Sequence, residues 1–360
     1  MKKTLLIAMA LISSAIAFAH DFSVRLSDGQ QLYFNIISLD NNLVELTYPV
    51  KIANTKPIFY GKLTVPATVK WNDKVYKVVA IGKKAFVNDV NLTEVVLPSG
   101  LVKIDDFAFE GCTNLRSIIF PGNKVTFGSG TFFRCTSIAN VTLGSDWTTF
   151  DMKVFRWSED LEEINIPAKL EKITNLKSMK HLRKITVDPN NNAFTAVDGI
   201  LYNKPGTTML CCPRNYGYRL DVPYGVMEIR WGALGGCKNL NTVILPATLA
   251  YLSYREFASL ENLRKIVMKS STPIMTAQSG TRQCFLLQVY NKSTIDLYVP
   301  KNAEKLYKRS LCTIEGNYTE ITTNLPAGMD SDRAVVPYEV KDSEMLHDWS
   351  IHGEKDFSDF

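Results

Sequence analysis

Apolar residues recur along most of the chain at a step of 23. From Phe86 the step reaches Phe109, Phe132 and Phe155, and from Leu92 it reaches Leu115, Ile138 and Leu161. Val95, Ile118, Val141 and Ile164 form a third series. Leu97, Phe120, Leu143 and Ile166 form a fourth, and Ile81, Ile104, Phe127, Phe150 and Ile173 a fifth. Pro98, Pro121 and Pro167 close their units, with Gly144 in the remaining place. Independent series that keep one register mark an internal repeat.

Each unit reads roughly Ile-x-x-x-Ala-Phe-x-x-Cys-x-x-Leu-x-x-Ile-x-Leu-Pro. Its Leu-x-x-Ile-x-Leu part ends in alternating apolar residues, which predicts a short strand with one face inward. The Ala-Phe-x-x-Cys-x-x-Leu part spaces its apolar groups at three, which predicts one or two helical turns. The proline cannot donate to a further ladder bond and turns the chain. One coil cannot bury these residues alone. Stacked coils bury them in a column, with neighbouring strands about 4.8 Å apart. The expected fold class is an α/β repeat, a solenoid of about 23-residue coils.

The series continues with edits. Leu182, Ile185 and Val187 follow after a unit shortened by two residues. Over residues 191–222 the repeat lapses, and two apolar runs flank Asn203-Lys204-Pro205-Gly206, which predicts a β-hairpin insertion. The repeat resumes with Leu234, Cys237, Leu240, Val243 and Leu245, and again with Phe257, Leu263, Ile266 and Met268. Ile295 to Pro300 keeps only the strand-then-proline ending and is expected to be a degenerate closing coil. The predicted organisation is a signal peptide over 1–19, an N-terminal β cap over 20–77 and repeats one to five over 78–190. After the insertion at 191–222 come repeats six and seven with the closing coil over 223–325, including a helix over Ala303 to Arg309. An acidic, aperiodic tail over 326–360 is expected to be disordered or loosely docked.

Several segments resemble a known family. Ile81-Gly-Lys-Lys-Ala-Phe86 and Ile104-Asp-Asp-Phe-Ala-Phe-Glu-Gly-Cys112 are similar to the BspA-like, or treponemal-type, leucine-rich repeats of bacterial surface proteins. So are the run from Val65 to Ala85, Asp198-Gly-Ile-Leu-Tyr-Asn203 and Leu297-Tyr-Val-Pro-Lys301. The resemblance covers most of residues 60–310 and implies a leucine-rich-repeat solenoid. It also implies a surface or secreted interaction protein, since family members adhere to host matrix proteins or to other bacteria. No fixed binding motif of the family maps onto positions here.

The N-terminus points outward from the cell. Lys2 and Lys3 precede an apolar run from Thr4 to Phe18, and Ala17-Phe18-Ala19 supplies a small-x-small cleavage pattern, so cleavage is expected before His20. The run is short for a membrane span and none follows it, so no span is expected after cleavage. The expected location is outside the bacterial inner membrane: cell surface, outer-membrane-associated or periplasmic. Formal charge is +5, falling to +3 without Lys2 and Lys3, which gives no reason to expect nucleic acid. The tail after Pro326 carries nine acids against Arg333, Lys341 and Lys355 and leaves a moderately basic body.

Material for catalysis is scarce. The four histidines are His20, His181, His347 and His352, so one lies within the repeats, and a Ser/His/Asp or Cys/His apparatus has little to build on. No His-Glu-x-x-His, phosphate-cradling glycine loop or Gly-x-Ser-x-Gly occurs. Glu162-Glu163 and Asp105-Asp106 are carboxylate pairs without any sign of an enclosing cleft. Of seven cysteines, Cys112, Cys135 and Cys237 share one repeat slot, where a thiol packs as a small apolar group; a bridge between adjacent coils is the alternative. Cys211 and Cys212 are expected on opposite strand faces, with at most one buried. None has the spacing of a zinc site. No catalytic residue, metal or cofactor is expected.

What remains is surface. If Val95 and its equivalents point inward, Glu94, Ser117, Asn140, Glu163, Lys184, Thr242 and Lys265 form one outward row. Val96, Ile119, Thr142, Asn165, Thr186, Ile244 and Val267 form the next. The sheet face is therefore the expected binding surface, with Glu94, Asn140, Glu163, Asn165, Lys184 and Lys265 as candidates. A second candidate is an exposed aromatic patch of Tyr202, Tyr216 and Tyr218 at the hairpin. The first reading is a protein-interaction or adhesion module that binds host matrix or bacterial surface proteins. The alternative is a glycan-binding accessory of a carbohydrate-processing system.

Overall fold

A computed structural model describes residues 20–48, 59–252, 256–257, 259–272, 274–278, 281–284, 296–300, 303 and 335–338. The expected signal peptide lies outside the described residues, as does the helix expected over 303–309 apart from Ala303. The chain divides into two compact units, residues 1–147 with 154–160 and residues 148–153 with 161–360. Together they hold about eight turns of a β-solenoid, each about 23 residues long.

In the first unit every coil gives one strand to each of two parallel sheets. One sheet runs Gly61–Thr64, Leu92–Val96, Ser117–Ile119 and Asn140–Thr142. Val95, Ile118 and Val141 lie side by side in its register, so the 23-residue step is the ladder itself. The other sheet runs through Lys74–Ile81, Lys103–Ile104 and Thr126–Phe127. Its leading side is built by the antiparallel strands Phe22–Arg25, Gln31–Ser38 and Leu43–Thr47, the last running parallel to Lys74–Ile81. Phe22, Leu32, Phe34, Val44 and Leu46 alternate along these strands and are buried.

The second unit repeats the plan with an interruption. Glu163–Ile166 pairs with Lys184–Val187, and Thr149–Asp151 with Lys172–Thr174. Phe194–Val197, Ile200–Asn203 and Thr208–Cys211 then form an antiparallel meander that continues in parallel into Glu228–Ile229 and Tyr251–Leu252. Two tight turns make it, one at Asp198-Gly199 and one at residues 204–206. Another sheet runs Arg219–Asp221, Thr242–Leu245, Lys265–Met268, Asp296–Pro300 and Val335–Tyr338, all parallel, and Met275–Gln278 pairs with Thr281–Cys284 in a separate antiparallel pair. The tail, expected to be aperiodic, thus supplies a strand whose backbone pairs with the open edge of Asp296–Pro300.

The segment between the strands is not the α-helix that its spacing of three predicts. In four coils two residues sit in the left-handed region, four apart: Lys84 and Asn88, Phe107 and Gly111, Gly130 and Arg134, Gly232 and Gly236. Alternate amides also have different partners. Ala85, Val87 and Asp89 donate back three residues, to Gly82, Lys84 and Phe86. Lys84, Phe86 and Asn88 donate instead to the next coil's carbonyls of Asp106, Ala108 and Glu110, at 3.1, 2.8 and 2.7 Å. An α-helix would turn those amides inward along its own axis. Stacking satisfies them between coils, so the arc stays a series of turns with short 3-10 pieces at Met152–Phe155 and Leu176–Ser178.

The phenylalanine series becomes a stack. Rings of Phe86 and Phe109 lie 4.7 Å apart, Phe109 and Phe132 5.1 Å, and Phe132 and Phe155 5.0 Å, all near parallel. Gly144 departs from the closing proline for a reason the structure makes plain. A Cβ there would lie 2.2 Å from the Pro121 carbonyl oxygen and 2.3 Å from Trp147 Nε1. The Trp147 indole is buried and donates to the Asn123 carbonyl at 2.7 Å. Gly144→Ala is therefore expected to destabilise by about 1–3 kcal/mol through overpacking. Urea unfolding of the two forms checks this, and a neutral result would contradict the packing described.

Candidate functional site

Within each unit the sheet-face candidates emerge in register, most of them engaged with neighbouring side chains. Glu94, Ser117 and Asn140 are cross-strand neighbours in the first unit. Glu94 also pairs with Lys62 at 2.8 Å. In the second unit Glu163 lies opposite Lys184, 3.8 Å between charged atoms, and Arg183 reaches both Glu162 and Glu163. Asn165 accepts a bond from the Thr186 hydroxyl at 3.0 Å. Lys265 sits 4.3 Å above the Tyr298 ring. Such exposed pairs are worth little to stability, and they leave the face polar and nearly neutral. An open depression beside it is lined by Asn91, Thr93, Glu94, Asn114, Arg116 and Ser117. Two residues of the second row, Ile244 and Val267, are buried rather than outward, flanked in register by Asp221 and Tyr298.

The expected aromatic patch does not assemble. Tyr202 is 1% exposed, and Tyr216 is half-buried against the same apolar core as Tyr202. Only Tyr218, 78% exposed, faces solvent. Tyr202 is drawn inward because its strand pairs on both sides and lays that face on Met209, Leu220 and their neighbours. Its hydroxyl has no hydrogen-bond partner among the described residues, and burial raises its pKa well above the usual tyrosine range.

Five of the cysteines are packing groups. Cys112, Cys135, Cys211, Cys212 and Cys237 are buried free thiols. Cys112 Sγ donates to the Phe86 carbonyl at 3.0 Å and Cys135 Sγ to that of Phe109 at 2.9 Å. Burial pushes the Cys211 thiol up to about 12. Both Cys211 and Cys212 are buried, against the expected alternation, because the strand ends at Cys211 and Pro213 then redirects the chain. No set of three or more His, Cys, Asp or Glu residues could hold a metal ion among the described residues.

A groove that the sequence reading missed lies beside the meander. Its volume is about 370 Å³. Lys172 and Lys177 line one part, Phe194 and Leu201 of the meander another, and Arg230 and Trp231 a third. Phe194 and Leu201 are buried and form an apolar base, whereas Trp231 is 68% exposed. Lys177 Nζ lies 4.0 Å from the Trp231 ring centre. Trp231 occupies the repeat slot of Lys83, Asp106 and Ser129, so an indole among polar equivalents was the available signal.

Behind this groove lies Glu256, 2% exposed, in the slot that holds Ala85, Ala108 and Ala233. Its carboxylate accepts the amide of Gly232 through one oxygen and that of Leu234, at 3.1 Å, through the other. Ser259 Oγ accepts the Gly236 amide at 2.9 Å. Side chains of this coil thus take amides of the same alternating set that backbone carbonyls take in the first unit. Burial pushes the Glu256 carboxyl up to about 7, opposed by the two amides and by the Lys177 charge.

Residues 79–196 and 218–323, more than half of the chain, match the BspA type leucine rich repeat region in six copies. The chain belongs to the BspA-type leucine-rich-repeat family. The stretch between the two BspA-type matches contains the strands Ile200–Asn203 and Thr208–Cys211, so much of the meander stands outside the repeat pattern. This repeat family and fold are typically non-catalytic. Similar solved structures include the pneumococcal vaccine antigen PcpA, at 13% identity over 89% of this chain and 100% of that one, with a TM-score of 0.46. A leucine rich cell surface protein from Faecalibacterium prausnitzii is 18% identical over 90% of this chain and 97% of that one, with a TM-score of 0.40. A leucine-rich repeat protein from Bacteroides ovatus is 19% identical over 78% and 71%, with a TM-score of 0.49. No curated protein sequence matches the chain.

Proposed function

We propose that this BspA-type chain is an exported, non-catalytic interaction module that adheres through its sheet face to proteins of a host matrix or another bacterial surface. The observation that carries the reading is the register. Within each unit, adjacent coils set their outward residues in register, so a partner meets short regular arrays of side chains at the spacing of adjacent strands. The near-neutral, cross-paired charges of Glu94, Glu163 and Lys184 suit recognition by shape and hydrogen bonding more than by long-range attraction. Display at the cell surface, or retention at the outer membrane or in the periplasm, follows from the leader read at residues 1–19.

The test is surface binding of the full chain to panels of matrix proteins, mucins and partner bacteria, repeated with a Glu94→Lys, Asn140→Arg, Lys265→Glu variant. For the partner it captures, the variant is expected to bind at least tenfold more weakly at an unchanged melting temperature. Undiminished binding would move the interface away from the sheet. The glycan alternative, as built on Tyr202, Tyr216 and Tyr218, loses its support because the three rings do not share a surface.

A further inference from the structure

The groove beside the meander brings together features that the repeat does not need. Stacking requires an apolar interior and satisfied amides. It does not require an exposed indole at position 231, nor cations at positions 172, 177 and 230 around a buried apolar base. Neither Lys172 nor Arg230 has an ion-pair partner among the described residues, and Glu171 is the one acid in the lining. Lys177 is positioned by the Trp231 face rather than by a carboxylate ion pair. The volume of about 370 Å³ falls in the roughly 300–1,000 Å³ range of small-ligand clefts.

From this geometry we infer that the groove binds an acidic saccharide, a short run of sugar rings bearing carboxylates. An indole presents a broad apolar face that matches the C–H face of a sugar ring, and its N–H remains available as a donor. Arg230 offers the planar fork that carboxylates accept in pairs, and the two lysines add point charges whose positions tolerate ring rotation. A neutral saccharide would leave three cations facing it unpaired. An acidic peptide would satisfy the charges but has no flat apolar face for Trp231 at each carboxylate. The site is independent of the sheet-face reading, because none of its lining residues belongs to the outward rows.

The test is calorimetric titration of the full chain with tetragalacturonate, with a neutral galactose oligomer of equal length and a short poly-glutamate as comparators. The uronate is expected to bind, and its affinity to fall as salt is raised. Trp231→Ala and the pair Lys177→Met with Arg230→Gln are each expected to weaken it at least tenfold. Trp231→Ala should leave the melting temperature unchanged, since the ring is mostly exposed. Trp231→Phe should retain part of the affinity. No heat of binding at millimolar uronate, equal affinity for the neutral oligomer, tighter binding of poly-glutamate, or indifference to Trp231→Ala would each overturn the proposal. The sheet-face triple variant should titrate like the parent, so the failure of one reading is not the failure of the other.

Discussion

Phe109→Ala is expected to destabilise the first unit by about 3–5 kcal/mol, the range for deleting a fully buried aromatic ring. Phe109 has no exposed surface and stacks on Phe86 and Phe132 at 4.7 and 5.1 Å. The truncation removes one buried ring and two ring–ring contacts, each of the latter worth about 0.5–1.5 kcal/mol beyond its area. Collapse of the hole is opposed from both sides. The coil spacing above and below is held by interstrand bonds, and the Phe109 and Gly111 amides are tied to the Thr131 and Phe133 carbonyls at 2.9 and 2.8 Å. Phe109→Leu keeps much of the volume and should cost less than half as much. Chemical denaturation followed by intrinsic fluorescence measures both. A loss under about 2 kcal/mol for alanine would mean that the coils close on the cavity and that the column is softer than its bonding implies.

Removing the Glu256 carboxylate is the second large effect. Glu256→Ala leaves the part-buried amide of Gly232 and the buried amide of Leu234 without the acceptor they now share. At about 1–3 kcal/mol for each unmet group, the expected loss is about 2–4 kcal/mol. Glu256→Gln can return one acceptor but turns an N–H toward the other amide, so it should fall between the parent and alanine. The pH dependence has a definite sign. The folded-state pKa of about 7 lies above the ordinary 4.5, so the folded form holds this proton more tightly than the unfolded chain does. That contribution to stability is complete below pH 4.5 and is lost as pH rises to 7, a change on the order of 3 kcal/mol. Melting temperatures measured across this window should fall with rising pH in the parent and flatten in Glu256→Gln. A parent that becomes more stable over the same interval would contradict the assignment.

Much of the candidate chemistry was poorly legible because it depends on what stacks above a residue rather than on its place in a coil. Glu94, Asn140, Glu163 and Lys184 could be set on the outward rows from strand alternation alone, and the ladders put them there. The ion pairs of Glu94 with Lys62 and of Glu163 with Lys184 were not readable, since those depend on rotamers across neighbouring strands. Tyr202 carries a residue type that suits an exposed patch as well as a core, and only the meander's docking decides between them. Trp231 and Glu256 each broke the pattern of their repeat slot, the indole among polar residues and the carboxylate among alanines. Reading every slot for its exceptions, and not only for its consensus, would have found both.

The sequence by itself determined the coil length, the strands and their inward residues. A 23-residue step repeated in several series can be satisfied only by laying like on like, and strand alternation then sorts the two faces. Tertiary structure decided the arc between strands, which spacing alone assigned to a helix. There the amides of Lys84, Phe86 and Asn88 find their acceptors one coil away, and an acceptor supplied by a neighbour leaves no mark in the local pattern. It likewise decided the groove, where Lys177, Leu201 and Trp231 meet only because the meander interrupts the stack.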